Sequence, residues 1–159
     1  MRAGPKGNIE AAPLDFSGWT TARAERRIRF VDEYVVTPKG VGALEPMRFR
    51  PWQREIVAGA FADGIRTALV SLPRANGKTA LAAALAVAEL FVGPPSAEVL
   101  VVASDQRQAN IALRMAKRMI ELSPELAERA QVFSDKIVVP HNDATMIALP
   151  ADPGALHGW

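Results

Sequence analysis

The spacing of apolar residues predicts four helices after residue 20. In residues 21–35, Ile28, Val31 and Val35 fall on one helical face, with Thr20 or Thr21 as the N-cap. Pro51 suits the first position of a second helix, which ends at residues 63–64. Residues 78–91 form an Ala-rich run typical of a buried helix. Residues 106–122 have amphipathic spacing, and residues 124–130 add another turn or two.

Short apolar runs between these helices predict strands. Residues 67–72 and 99–103 are typical of buried strands, whereas residues 136–139 and 145–149 alternate like paired strands around a turn at residues 141–143. The order strand, loop, helix, strand, helix predicts a parallel sheet with right-handed crossovers, and therefore an α/β fold. Residues 1–19 are rich in Gly and Pro without apolar periodicity, so we expect a flexible lead-in before one domain at 20–159.

Composition narrows the class of protein. The chain has 159 residues, of which 49% are hydrophobic and 23% charged, as in an ordinary globular domain with one core. The absence of Cys excludes disulfides and thiolate metal sites, and two distant His residues argue against zinc. The longest nearly apolar stretch, residues 79–92, is shorter than the roughly 20 residues of a membrane span. Without a signal peptide, we expect a cytoplasmic protein.

Positive charge is concentrated near the N-terminus. Residues 1–54 contain 10 basic and 6 acidic side chains, whereas residues 55–159 contain 9 and 11. A polyanion could bind this basic region. Alternatively, its arginines form the solvated face of one helix, interleaved with Glu25, Asp32 and Glu33. The helical arginines concerned are Arg23, Arg26, Arg27 and Arg29, and the basic residues further along are Arg48, Arg50 and Arg54.

The segment between residues 67–72 and the Ala-rich helix has the pattern of a phosphate-binding loop. Gly77 allows close backbone approach to an anion, Lys78 suits β/γ-phosphates, and the Thr79 hydroxyl suits Mg²⁺. Leu72 stands where the usual pattern has its first Gly. Arg74 lies four residues before Lys78, where it could reach a γ-phosphate and neutralise charge in the transition state. The alternative is an ordinary strand-to-helix turn with a solvent-facing Lys78.

These residues resemble the large terminase subunit of tailed bacteriophages, the ATP-driven motor that packages DNA into a procapsid. The resemblance covers about residues 30–159. Terminases lack the first Gly of the loop and carry an arginine in it, as residues 73–79 do. Residues 49–53 are similar to the adenine-recognition segment of the family, and residues 99–109 look like its second strand and following motif. Residues 155–159 resemble the approach to an acidic strand.

The resemblance implies a P-loop NTPase of the additional-strand, RecA/helicase-like type, incomplete here, with ATP and Mg²⁺ as cofactors. It implies that Gln53 reads adenine, Arg74 acts as a cis arginine finger, and Lys78 holds phosphates while Thr79 ligates the metal. The implied nucleotide-binding residues are Trp52, Gln53, Pro73, Arg74, Ala75, Asn76, Gly77, Lys78, Thr79 and Ala80.

Several of these residues have simpler interpretations. Gln53 could merely be exposed on a first helical turn, and Trp52 could be a core residue. The polar residues Ser104, Gln106 and Gln108 could cap the next helix, with Ser104 or Asp105 at the N-cap, or could couple the site to DNA or nucleotide.

No apolar strand ends in Asp-Glu, because the strand-like runs end at Leu72, Ser104, Pro140 and Pro150. We therefore expect the N-terminal part of an ATPase domain, without the family's nuclease and with weak ATPase activity alone. The implied partners are double-stranded DNA, the portal protein, the small terminase subunit and further copies in a ring. The implied location is the host cytoplasm during phage assembly, and not the mature virion or a membrane. A helicase-like DNA translocase, another P-loop NTPase and a non-catalytic α/β domain are the alternatives.

Overall fold

The computed structural model describes residues 8–75 and 77–152. Their helices and strands are, in chain order, α1 Arg23–Tyr34, α2 Pro51–Ala60, α3 Lys78–Val92, β1 Glu98–Ala103, α4 Gln106–Leu122, α5 Pro124–Ala127, β2 Gln131–Val132, β3 Lys136–Val139 and β4 Ala144–Pro150. The predicted helices are therefore all present. The N-cap of α1 is Ala22 rather than a threonine, although Thr20 Oγ1 accepts a hydrogen bond from the Ala22 amide. Two sequence interpretations fall outside the described residues. They concern Asn76 in the predicted phosphate loop and residues 155–159, which resemble the approach to an acidic strand.

The four strands form one sheet in the order β1-β4-β3-β2. β1 and β4 are parallel, with Leu100 opposite Ile147, whereas β4 with β3 and β3 with β2 are antiparallel. The α/β fold class predicted from the sequence is confirmed, but this sheet is mixed rather than parallel. The reason is local, since the short turn between β3 and β4 can join only antiparallel neighbours.

The predicted strand at residues 67–72 is wrong. Within the described part of the chain these residues pair with no strand, and nearly all of the segment is solvent-exposed, with Leu69 97% exposed. Apolar residues favour burial in a sheet, but a strand also needs a neighbour for its backbone N–H and C=O groups. No described strand lies beside this segment.

The core is built around α3. Its alanines present little side-chain volume, so α1 and α4 can pack closely on both of its sides. Leu90 and Val87 of α3 are fully buried, and Phe91 stacks on Phe30 of α1 with ring centroids 5.5 Å apart. This packing fixes the N-terminus of α3, where the candidate loop ends.

Helices α3 and α4 cover one face of the sheet. On β1, side chains alternate, so that Val99 and Val101 face these helices while Leu100 and Val102 face away. Leu100 and Val102 remain 39% and 48% exposed. The second face is thus apolar yet uncovered by any of the described residues.

Residues 8–22 form no helix or strand, but their aromatic side chains pack on the core. Phe16 lies 4.9 Å from Trp19 and 6.1 Å from Phe30, measured between ring centroids. Arg129 donates a 2.6 Å hydrogen bond to the Ala12 carbonyl. Throughout residues 8–75 and 77–152, no helix is both long and apolar enough to cross a bilayer.

Candidate nucleotide-binding site

The loop before α3 places positive-φ residues where an anion-binding turn needs them. Gly77 is the N-cap of α3 with φ +73°, a conformation that costs glycine nothing, and Ala75 has φ +63°. The first intrahelical bond runs from the Leu81 amide to the Gly77 carbonyl at 2.9 Å. No side chain among the described residues caps this helix. The amides of the first turn that come before Leu81 therefore have no carbonyl partner within the helix and can bind an external anion. The helix dipole also favours an anion at this position.

Lys78 turns back over the loop that precedes it. Its Nζ donates a 2.7 Å hydrogen bond to the carbonyl of Leu72, six residues earlier. The ammonium carries three donors, so it can hold this carbonyl and still bind another oxygen.

The other predicted loop residues lie close along the chain. Arg74 is exposed at the turn that begins the loop, and Thr79 is half-buried in the first turn of α3. Pro73 and Gly77 are exposed, and Ala80 is half-buried. The loop thus gathers cations, backbone amides and one hydroxyl at a single helix N-terminus.

Gln53 has a structural role that the sequence interpretation missed. It is the third residue of α2, and its Oε1 accepts a 2.8 Å hydrogen bond from the Arg50 amide, as in one half of a capping box. The signal was present, because a Gln two residues after Pro51 at N1 is placed for this contact. The Nε2 group has no partner among the described residues, so Gln53 can still donate to a ligand. Trp52 is half-buried beside it.

The motif after β1 serves mainly to start α4. Asp105 is the N-cap, and its carboxylate accepts a 2.9 Å hydrogen bond from the Gln108 amide. Gln106 Nε2 donates to the Ala148 carbonyl of β4 at 2.9 Å and so ties the helix to the sheet. The capping interpretation therefore accounts for Asp105, and Gln106 holds two elements together.

The helical arginines near the N-terminus form a solvated face only in part, since Arg23 and Arg29 are exposed whereas Arg27 is buried. Arg27 is only 4% exposed, and its guanidinium donates twice to the Glu89 carboxylate of α3, with 2.7 Å from Nε. Arg29 pairs with Glu33 at 2.8 Å and stacks over Trp19, and Arg26 lies over the Phe16 ring. The interpretation as a solvated face is wrong for Arg27, because its partner lies 62 residues away along the chain.

The later N-terminal arginines are also engaged. Arg54 contacts the Asp32 carboxylate at 3.1 Å, and Arg48 donates to the Asp32 backbone carbonyl. The ion pairs of Arg27 and Arg54 thus hold α1 against α3 and α2. They leave less positive charge for an external polyanion than the sequence count suggests.

Comparison with known proteins agrees with this arrangement. The sequence profile of the family described as terminase large subunit, ATPase domain, matches residues 51–159. The terminase large subunit of Enterobacteria phage HK97 is 30% identical over 143 residues, covering 86% of this chain and 28% of that protein. The crystal structure of the HK97 bacteriophage large terminase matches with a TM-score of 0.75 and 28% identity, over 86% of this chain and 29% of that one.

The chain thus spans less than a third of the length of these relatives. The profile match nevertheless covers well over half of the chain and includes α2, the candidate loop, α3 and the whole sheet. On the strength of that match, this chain belongs to the ATPase-domain family of terminase large subunits.

Proposed function

We propose that this chain is the ATP-binding part of a viral DNA-packaging motor, one that couples ATP hydrolysis to translocation of double-stranded DNA into a procapsid. The observation that carries the proposal is the N-terminus of α3, which no described side chain caps and which follows Gly77 in the left-handed region. Lys78, the first residue of this helix, directs its ammonium back to the Leu72 carbonyl of the same loop. Backbone amides, a helix dipole and a cation that converge on one point are the requirements for binding a polyphosphate.

The residues of the loop fit Mg²⁺-ATP. Lys78 would hold the β- and γ-phosphates, and the amides that follow Gly77 would hold the phosphate oxygens. The Thr79 hydroxyl, in the first turn of α3, would be the metal ligand supplied by this chain. Bound Mg²⁺ would neutralise phosphate charge and orient the leaving group.

Arg74 and α2 supply the remaining groups. Arg74 would act on charge that develops on the γ-phosphate, because it begins the same turn that Lys78 closes. On the adenine side, Gln53 would donate through Nε2 while its Oε1 remains bound to the Arg50 amide. Trp52 would offer a ring face beside it. Pro73, Ala75, Asn76 and Ala80 would contribute backbone to the cradle.

Hydrolysis by these 159 residues alone should be slow. The sequence contains no apolar strand ending in Asp-Glu, the group that would position the attacking water and complete the metal site. The expected partners are duplex DNA, the portal protein, the small terminase subunit and further copies of the large subunit, met in the host cytoplasm during assembly.

Binding of a fluorescent ATP analogue with Mg²⁺ tests the proposal. We expect Lys78→Ala to abolish binding, because the ammonium contacts ground-state phosphates. Lys136→Ala removes an equally exposed lysine on β3 and should leave binding unchanged, so it is the matched control. Equal affinity of the wild-type chain and Lys78→Ala would refute the site.

A further inference from the structure

Three exposed basic residues on or beside α4 have no carboxylate partner among the described residues. Among residues 8–75 and 77–152, no carboxylate is within ion-pairing distance of Lys39, Arg107 or Arg114. All three side chains are exposed. By contrast, Arg27, Arg29 and Arg54 near the N-terminus are each paired with a carboxylate.

Three arginines form a line on α4. Arg107, Arg114 and Arg118 are separated by seven and four residues, so they share one helical face at intervals of about 10 Å and 6 Å. The opposite face of α4 is buried through residues such as Leu113 and Ala116. Arg118 has only a long, exposed contact with Glu121 at 3.8 Å.

Lys39, in the segment between α1 and α2, lies next to this line of arginines. A cleft of about 180 Å³ lies between it and α4, lined by Pro38, Lys39, Ile111, Arg114, Met115 and Arg118. Three of these six residues are cationic, and none is acidic. Together, four cations form the α4 basic face: Lys39, Arg107, Arg114 and Arg118.

The size of the cleft beside α4 favours an extended polyanion as its ligand over a small molecule. The cleft is smaller than the roughly 300–1,000 Å³ of sites that enclose drug-sized ligands, so a free nucleotide would remain mostly outside it. The arginines continue along the helix beyond the cleft. A DNA duplex carries one charge per about 1.7 Å of its axis and so meets all of them along one side.

We propose that the α4 basic face binds the phosphate backbone of double-stranded DNA. The inference rests on the proposed function, because a packaging motor must hold a duplex. The inference assigns the DNA contact to α4, whereas the excess of basic residues in the N-terminal part of the sequence suggested the arginines there. The contacts are made by cations to phosphates, so binding does not depend on base sequence.

The cleft beside α1 does not qualify for the same role. It is larger, about 430 Å³, and is lined by Arg23, Arg26 and Arg27. Arg27 is bound to Glu89, Arg26 donates to the Val92 carbonyl, and Arg23 lies over the Phe61 ring. Each of these three arginines thus has a contact within the protein, and the charge of Arg27 is paired.

Fluorescence anisotropy with a short labelled duplex of mixed sequence tests the inference, using the whole chain over a series of salt concentrations. Lys39→Gln with Arg114→Gln should weaken binding at low salt by about tenfold or more, and should reduce the slope of log K against log[salt] by about 1.8, for two lost phosphate contacts. The matched control is Arg23→Gln with Arg29→Gln, which removes the same charge from α1. It should keep the affinity within about twofold and the slope unchanged.

Equal weakening by both double variants would mean that net charge alone attracts DNA, and would overturn the inference. So would unchanged binding in the Lys39/Arg114 variant, tighter binding of polyglutamate than of the duplex, or a change in oligomeric state without a change in DNA affinity. Circular dichroism verifies that both variants fold.

ATP binding separates this inference from the proposed function. The Lys39/Arg114 variant should bind the fluorescent ATP analogue like the wild type. Intact ATP binding without any duplex binding by the wild-type chain would refute the α4 basic face while leaving the nucleotide site in place. Duplex binding that depends on Lys39 and Arg114, without any ATP binding, would refute the nucleotide site and support the α4 basic face.

Discussion

Two residues of the loop have different roles in the proposed site, one in nucleotide binding and one in hydrolysis. Lys78 begins α3 and is held by a hydrogen bond to Leu72, whereas Arg74 begins the turn four residues earlier. In the proposed site, Lys78 would contact phosphates in the ground state. Arg74 would act on charge that appears only as the γ-phosphate departs, and interactions of that kind change kcat rather than affinity.

Arg74→Ala is therefore expected to retain most of the nucleotide affinity that Lys78→Ala loses. In a complete large subunit carrying the same substitution, kcat should fall by about 10³-fold or more, because an arginine finger acts on the transition state. Titration with the fluorescent analogue, followed by steady-state phosphate release, measures both quantities. Equal losses of affinity in the two variants would contradict the role of Arg74.

Gly93 shows a second single-residue constraint, at the other end of α3. A Cβ there would lie 2.8 Å from Glu89 Oε1 and still closer to the Glu89 carbonyl, although its φ of −72° is open to any residue. We expect Gly93→Ala to lower the free energy of unfolding by about 1–3 kcal/mol through overpacking. Gly59→Ala, which meets no atom within 4 Å, is the control in urea unfolding. Equal stability of the two variants would contradict this account.

Helices α1 and α3 are held together by the Arg27–Glu89 ion pair and by the Phe30–Phe91 stack. Arg27 also donates to the Arg23 carbonyl at 3.0 Å and lies over the Phe61 ring. With Arg27 buried and Glu89 only partly exposed, removing one partner leaves a charge without compensation inside the helix interface. The pair therefore fixes how α1 lies against the helix that carries the phosphate loop.

Arg27→Ala is expected to destabilise the fold by about 3 kcal/mol, the lower end of the range for breaking a buried pair, because Glu89 keeps some contact with water. Arg29→Ala breaks the exposed pair with Glu33 and should cost about 1 kcal/mol or less. Thermal and urea unfolding of the two variants measure the difference. If both lose the same stability, the Arg27–Glu89 pair does not hold α1 against α3.

One face of the sheet is apolar and is covered by none of the described residues. Leu100 and Val102 of β1 face away from the helices, and their partners on β4 are Ile147 and Leu149. Ile65, Leu69 and Val70 are exposed as well. Contiguous patches of this kind mark surfaces that other polypeptide covers or that drive association.

We expect the isolated chain to bind a hydrophobic dye and to self-associate at high concentration. Leu100→Thr with Val102→Thr should reduce both, because it removes apolar area from the open face, and threonine, being β-branched, suits a strand. Val41→Thr is the control, since Val41 is 97% exposed but stands alone in a loop. Dye fluorescence and analytical ultracentrifugation measure the result, and an equal effect of the control would show that the open face is not responsible.

The sequence alone determined the features that depend on neighbouring residues. Helical spacing, Pro51 at N1, an N-cap at Ser104 or Asp105 and the β3–β4 turn are local. The phosphate loop is likewise predicted from adjacent residues, its Gly, Lys and Thr. Tertiary structure decided the rest. It buried Arg27 against Glu89. Within the described part of the chain, it left residues 67–72 without a strand partner, and it left Arg107, Arg114 and Lys39 without carboxylates. Those outcomes depend on residues far apart in the chain, since burial and charge pairing are settled only when helices and strands pack.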